Sequence, residues 1–198
     1  MTPGDPGSAK DVIARDLRWS DYDDLRELYY LLYEERETRP DIGISLFRVR
    51  PSPADESTWF GTLYRKALTG DSIVAIAERD GHAIGSCTIT RLGPSEESEM
   101  AHVAVLGILV HRDHRGSGAG TALLRRALAQ CPGRFDIVRL SVFSVNVAAR
   151  QLYERFGFVL VGTIPRAVRR GDREYDEDLM VLDLGRSTPT VKEPPPSV

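Results

Sequence analysis

Residues 101–131 read AHVAVLGILVHRDHRGSGAGTALLRRALAQC, and three backbone regimes follow one another along them. Val103 to Val110 is an apolar run rich in valine, too short to span a membrane and best read as a buried strand. Gly116, Gly118 and Gly120 then occupy every second position. Beyond them Leu123, Leu124, Ala127, Leu128 and Cys131 recur at helical spacing, while Arg125 and Arg126 face the other way. The order is strand, basic glycine-rich turn, amphipathic helix.

Such a turn has one common physical use. The first N–H groups of a helix lack partners within it, and the helix dipole adds partial positive charge there. Glycines let the backbone close around an anion without Cβ clashes. Arg112, Arg115, His111 and His114 add positive potential beside it, which points to a phosphate or pyrophosphate ligand. The plainer reading is a tight connection that needs its glycines for geometry alone, and spacing does not choose between the two. Gly-x-Gly-x-x-Gly fails because Leu123 stands where the third glycine should be, and no Gly-Lys-Ser/Thr follows to make a P-loop.

The 198 residues suffice for one domain with a sizeable core. A net charge of −3 gives no bulk reason to bind nucleic acid or an anionic membrane. Cys87 and Cys131 have no framework spacing and are expected as free buried thiols. No leader-like or membrane-spanning run is evident, which places the expected location in the cytoplasm. Residues 1–10 are small and breaker-rich, and residues 186–198 hold four prolines, so both are expected as disordered tails around a domain at 11–185.

Along the chain, Val12–Leu17 reads as a short strand. A helix then starts near Ser20 and runs to about Arg39, with Leu25, Leu28, Tyr29, Leu32 and Tyr33 on one face. Pro40 to Pro53 has no clean period. Asp55–Leu68 reads as a second helix, and Ser72–Glu78 with Ala83–Leu92 as a hairpin around Asp80-Gly81. After the central helix, Cys131-Pro132-Gly133 is a stop and Ile137–Phe143 a fifth strand. Ala149, Leu152, Tyr153 and Phe156 then mark one face of a helix that Gly157 ends. Phe158–Ile164 and Asp176–Asp183 are the last strands, expected on either side of an Arg-rich turn at 166–173.

Two segments carry a family resemblance. Arg115-Gly116-Ser117-Gly118-Ala119-Gly120 resembles the acyl-CoA-binding signature of the GNAT acetyltransferase superfamily, Gln/Arg-x-x-Gly-x-Gly/Ala. Asn146, Ala149, Leu152, Tyr153, Gly157 and Phe158 are spaced as in its C-terminal signature. The resemblance covers about Val12 to Leu184. It implies a mixed, mostly antiparallel α/β (α+β) sheet of about seven strands flanked by about four helices, splayed between the fourth and fifth strands to admit the cofactor. It also implies acetyl-CoA as co-substrate and direct attack by a primary amine, without a covalent enzyme intermediate.

Carried over residue by residue, the resemblance makes Arg115, Gly116, Ser117, Gly118, Ala119 and Gly120 the pyrophosphate cradle. Three or four charge-assisted hydrogen bonds give ~5–10 kcal/mol gross against an association cost of ~4–15 kcal/mol, so the cradle alone does not reach micromolar affinity. The pantetheine arm would add contacts along Leu109, Val110 and His111, with a backbone N–H near Leu109 as oxyanion donor. Tyr153 would protonate the leaving thiolate, although its place on an apolar stripe also suits a core tyrosine. Asn146 is a helix N-cap, a cofactor contact, or both.

Where family members use a glutamate base about thirteen residues before the signature Arg, this chain has His102, with Glu99 as competitor. His111 and His114 lack a third ligand partner, so no metal is expected. Nothing near Cys87 in sequence activates it as an acyl carrier. The expected acceptor is a small amine or amino-acid derivative; a protein N-terminus is the runner-up, and a non-catalytic acyl-CoA sensor the alternative of another class. No nucleic-acid or membrane partner is expected, and a homodimer is left open.

Overall fold

The computed structural model describes residues 12–39, 44 and 46–185, so the two expected tails and part of the connection after Pro40 lie outside the described residues. In chain order the elements are β1 (Ile13–Asp16), α1 (Tyr22–Thr38), α2 (Pro53–Thr69), β2 (Ser72–Arg79), β3 (His82–Arg91), β4 (Val103–Val110), α3 (Ala119–Leu128), β5 (Ile137–Phe143), α4 (Val147–Arg155), β6 (Val159–Arg170) and β7 (Arg173–Asp183). Short 3-10 turns at Trp19–Asp21 and Arg112–His114 precede α1 and α3.

The strands form one seven-stranded sheet in the order β1-β2-β3-β4-β5-β7-β6. Every pairing is antiparallel except β4 with β5. That parallel pairing joins the halves through three residue pairs, Val103–Val105 with Ile137–Arg139. From Leu106 onward β4 keeps β3 but has no β5 pairing, which is the expected splay.

Side-chain alternation divides the core into two layers. On one face Ile73, Cys87, Ile89, Ala104 and Leu106 pack with Leu123, Leu124 and Ala127 of α3 and Tyr153 of α4. On the other, Val74, Ile76 and Ala83 meet Leu25 and Leu28 of α1 and Phe60 and Leu63 of α2. Both cysteines are buried and free.

Local chemistry sets the ends of α2. The Ser52 hydroxyl accepts from the Asp55 N–H at 3.2 Å, and the Asp55 carboxylate accepts from the Ser52 N–H at 2.9 Å. This reciprocal cap, with Pro53 in the first turn, starts the helix two residues before the expected Asp55. Ser20 does not cap α1. The Asp21 carboxylate instead accepts from the Arg18 N–H at 2.7 Å and closes a 3-10 turn ahead of the helix.

The Arg-rich stretch is strand, not turn, which corrects the reading of 166–173. β6 runs to Arg170, and the chain reverses at Gly171-Asp172, with Gly171 at φ +60°. Arg166 and Arg169 pair with Glu174 across the ribbon. The ribbon is exposed, so no apolar alternation announces it; cross-strand ion pairs do not show in a hydrophobic period.

Candidate functional site

The gap beside β4 is bounded by unpaired backbone. His111 N–H donates to Ile84 C=O, and Val103 C=O accepts from Leu92 N–H. Amide direction alternates along a strand, so the odd-numbered residues of β4 turn theirs towards β3, and Leu106, Ile108 and Val110 turn theirs into the gap. The donor expected near Leu109 is therefore Ile108 or Val110. The Leu109 side chain points to the α1/α2 layer, where it packs with the Phe60 cluster.

At the upper end of the gap sits the glycine turn. Gly116 has φ +77° and Gly118, the N-cap of α3, has φ +89°. A Cβ at either would meet nothing within 4 Å, so their requirement is the left-handed backbone itself. Gly120 differs: a Cβ there would lie 3.0 Å from Leu152 Cδ2, so this glycine lets α3 approach α4. Ser117 Oγ donates to His114 C=O at 2.7 Å and braces the turn. Among the described residues, the N–H groups from Gly116 to Thr121 find no acceptor. A row of free donors at a helix start has the donors and the dipole sign to hold an anion.

Arg115 adds less free charge than the sequence suggests. Its guanidinium forks onto both carboxylate oxygens of Glu35 on α1, the second at 2.7 Å, and its Nε donates to Val110 C=O at 3.1 Å. The side chain thus ties the turn to α1 and to the end of β4, while its backbone starts the turn. His111 Nδ1 accepts from the Asp113 N–H at 3.2 Å and caps the 3-10 turn.

Tyr153 is 5% exposed and lies beside Phe158. Burial, with a smaller contribution from nearby Cys87, pushes its phenol above the ordinary tyrosine range. Its hydroxyl makes no hydrogen bond among the described residues. Burial likewise holds the Cys87 thiol protonated, which disfavours it as a nucleophile. Asn146 Oδ1 accepts from Ala149 N–H at 3.2 Å and caps α4.

α4 is fixed from below by buried Asp178. Burial pushes that carboxyl up, but donors from Ser144, Thr163 and Arg150 outweigh it and leave its pKa below the usual range.

His102 is not brought to this site. It lies exposed on the turn before β4, where its C=O accepts from the N–H groups of Asp136 and Ile137. It is seven residues from Leu109, or ~23 Å along a strand. Its backbone closes the paired end of the sheet. Glu99 lies farther still along the same turn.

On the opposite face of β4 a cavity of about 1020 Å³ opens between α1, α2 and the segment from Phe47 to Pro51. Tyr29, Phe47, Trp59 and Leu109 give it apolar walls, and Gly107, lacking a side chain, leaves its floor open beside the gap. Glu56, on the first turn of α2, also lines it while only 3% exposed. In sequence this acid looks like any carboxylate favouring a helix N-terminus, so nothing but the fold could distinguish it.

A model of the Acetyltransferase (GNAT) family matches residues 22–158. L-amino acid N-acetyltransferase AaaT of Escherichia coli (strain K12) is 26% identical over 165 residues, covering 82% of this chain and 92% of that protein. Salmonella typhimurium yncA, solved with acetyl-CoA, superposes with a TM-score of 0.73 at 18% identity, over 92% of this chain and 100% of that one. A Sinorhizobium meliloti phosphinothricin acetyltransferase in complex with AcCoA gives 0.72 at 21%, over 94% and 97%. At these identities the two structural likenesses speak for the fold.

Proposed function

The chain belongs to the GNAT acetyltransferase family, and on that premise we propose that it transfers an acetyl group from acetyl-CoA to the primary amine of a small molecule or amino-acid derivative. The observation that carries this reading is the gap beside β4 with a row of acceptor-free N–H groups at its head. The donor set fits a pyrophosphate at Gly116–Thr121 and an extended amide-bearing arm along Leu106–Val110. When bound there, acetyl-CoA supplies the activated acyl group. The chain of relatives agrees in kind, since AaaT is named for L-amino acid N-acetylation.

The protein's own groups have separate tasks. The N–H of Ile108 or Val110 stabilises negative charge developing on the carbonyl oxygen, a contribution of about 3–4 kcal/mol for one well-placed donor. Tyr153 holds a proton at its hydroxyl for the leaving sulfur. Its raised pKa keeps it protonated at rest and also makes it a weak acid; a thiol near ~8.5 sits below it. Donation is therefore uphill unless the phenol is resupplied in the same step by the nitrogen that has just formed its bond to carbon. Tyr153 acts as a relay between nitrogen and sulfur rather than as a free acid.

Calorimetry with acetyl-CoA, CoA, ATP and NAD, followed by thiol release over an amine panel, tests the proposal. Micromolar binding selective for acetyl-CoA and amine-dependent thiol release are expected. Binding without turnover would favour the sensor reading, and turnover on peptide N-termini alone would favour the runner-up acceptor.

A further inference from the structure

Resting on that reading, we propose that Glu56 is the seat for the acceptor's ammonium group and takes its proton before attack. With His102 distant from the gap, the acceptor side still needs such a group. Glu56 is 3% exposed and lines the cavity, yet its carboxylate has no hydrogen bond or ion pair among the described residues. A buried carboxylate without a partner is costly unless a cation completes it. A primary ammonium entering between α1 and α2 is a cation of the right size and charge.

No cation of the described residues contacts the Glu56 carboxylate, and Arg26 acts on it only through its charge. Asp55 precedes Glu56 on α2 and is engaged by Ser52. On α1, Arg26 pairs with Asp23 at 2.9 Å and Tyr29 remains a neutral phenol. From the connecting segment, Arg48 and Arg50 line the cavity, and the Arg50 guanidinium lies over the Tyr30 ring at 4.6 Å. Burial first, then the charge of Asp55, raises the Glu56 pKa, with Arg26 opposing. A carboxylate so shifted is a better base near neutral pH than an ordinary glutamate.

The proton and electron balance closes. The ammonium R–NH3+ gives one proton to the Glu56 carboxylate, and the freed lone pair forms the N–C bond at the acetyl carbonyl. The C–S bond then breaks, the sulfur takes the Tyr153 proton, and the phenol recovers one from the new amide nitrogen. Glu56 returns its proton to water. The net products are an N-acetyl amide, a free thiol and one proton. The cavity's volume and its Phe47, Trp59 and Leu109 walls also favour an amine on a large apolar body over one on a small polar body.

The test compares 2-phenylethylamine with ethanolamine as acceptors, in wild type, Glu56→Gln and Glu56→Asp, with acetyl-CoA affinity measured on each protein. Wild type is expected to favour 2-phenylethylamine at least 30-fold in kcat/KM. Glu56→Gln is expected to lose at least 100-fold and the acidic limb of the pH profile, with acetyl-CoA affinity kept within about twofold. Glu56→Asp should restore part of the rate and the limb. An unchanged rate or pH profile in Glu56→Gln would overturn the assignment, as would an Asp variant no better than Gln at equal folding. Equal use of both amines would overturn the apolar-body selection. A wild type that does not bind acetyl-CoA would instead bring down the acetyltransferase reading itself.

Discussion

Gly118→Ala isolates the role of the glycine turn because it changes the backbone preference and nothing else. Gly118 sits at φ +89°, and an added Cβ would meet no atom within 4 Å. The cost is therefore conformational, about 1–2 kcal/mol for a non-glycine residue held in the left-handed region. If the turn keeps its shape, that cost appears as stability, a fall of roughly 2–8 °C in Tm for a chain of this size. If it relaxes, the N–H row from Gly116 to Thr121 turns away and binding must restore it. The same 1–2 kcal/mol then appears as a roughly 5- to 30-fold weaker Kd for acetyl-CoA.

Gly133 supplies the control. It has φ +77°, an equally open Cβ position, and lies in the turn after α3, away from the gap. Gly133→Ala should lose similar stability and no affinity. Gly118→Asn should fall between wild type and Gly118→Ala, since asparagine tolerates this backbone better than alanine. Calorimetry and thermal melts on the three variants are the assay. A Gly118→Ala protein that loses stability by this amount and whose crystal structure shows a rotated turn, yet binds acetyl-CoA as tightly as wild type, would refute the N–H row as its anchor.

Further expectations follow from single contacts. Tyr153→Phe should melt within a degree or two of wild type, because the hydroxyl has no hydrogen bond to lose, while kcat falls about 10²- to 10⁴-fold in a thiol-release assay. Asp178→Asn removes a buried charge that accepts from Ser144, Thr163 and Arg150 and should cost about 3–5 kcal/mol in urea unfolding at pH 7. Because the folded pKa of Asp178 is depressed, its stabilisation is present above the unfolded value near ~3.9 and fades as pH falls through the folded value. The gap between variant and wild type should therefore narrow below pH ~4. Arg115→Lys cannot reach both Glu35 oxygens and Val110 C=O at once; about 1–2 kcal/mol of stability and a several-fold loss of acetyl-CoA affinity are expected, read by melting and calorimetry.

What the sequence revealed depended on whether a local rule was sufficient. The strand at Val103–Val110, the glycine turn and the helix after it are each set by their own composition, so the middle of the fold was readable, although of the strand expected to be buried only Ala104 and Leu106 are. The Asn146 cap and the Gly157 stop were likewise local. The Arg-rich ribbon of β6 and β7 was not, because its partners lie across the strand pair and little of it is apolar and buried. His102 arose from counting back along a strand, and that count leads to the turn at the paired end of β4, whereas the gap opens towards the strand's other end. One pairing and one placement were invisible for the same reason: Arg115 with Glu35 spans α1 and the turn, and Glu56 reaches the cavity wall only when α2 folds over it beside Gly107.

The most direct measurement is a mass-balance assay with acetyl-CoA and a primary amine, quantifying the released thiol and the N-acetyl product together. Equal molar amounts of both are expected, with no thiol released when the amine is omitted and no acetylated Cys87 on the protein. Thiol release without acetylated amine, or an acetyl group accumulating on the enzyme before the amine is added, would contradict direct transfer to the amine.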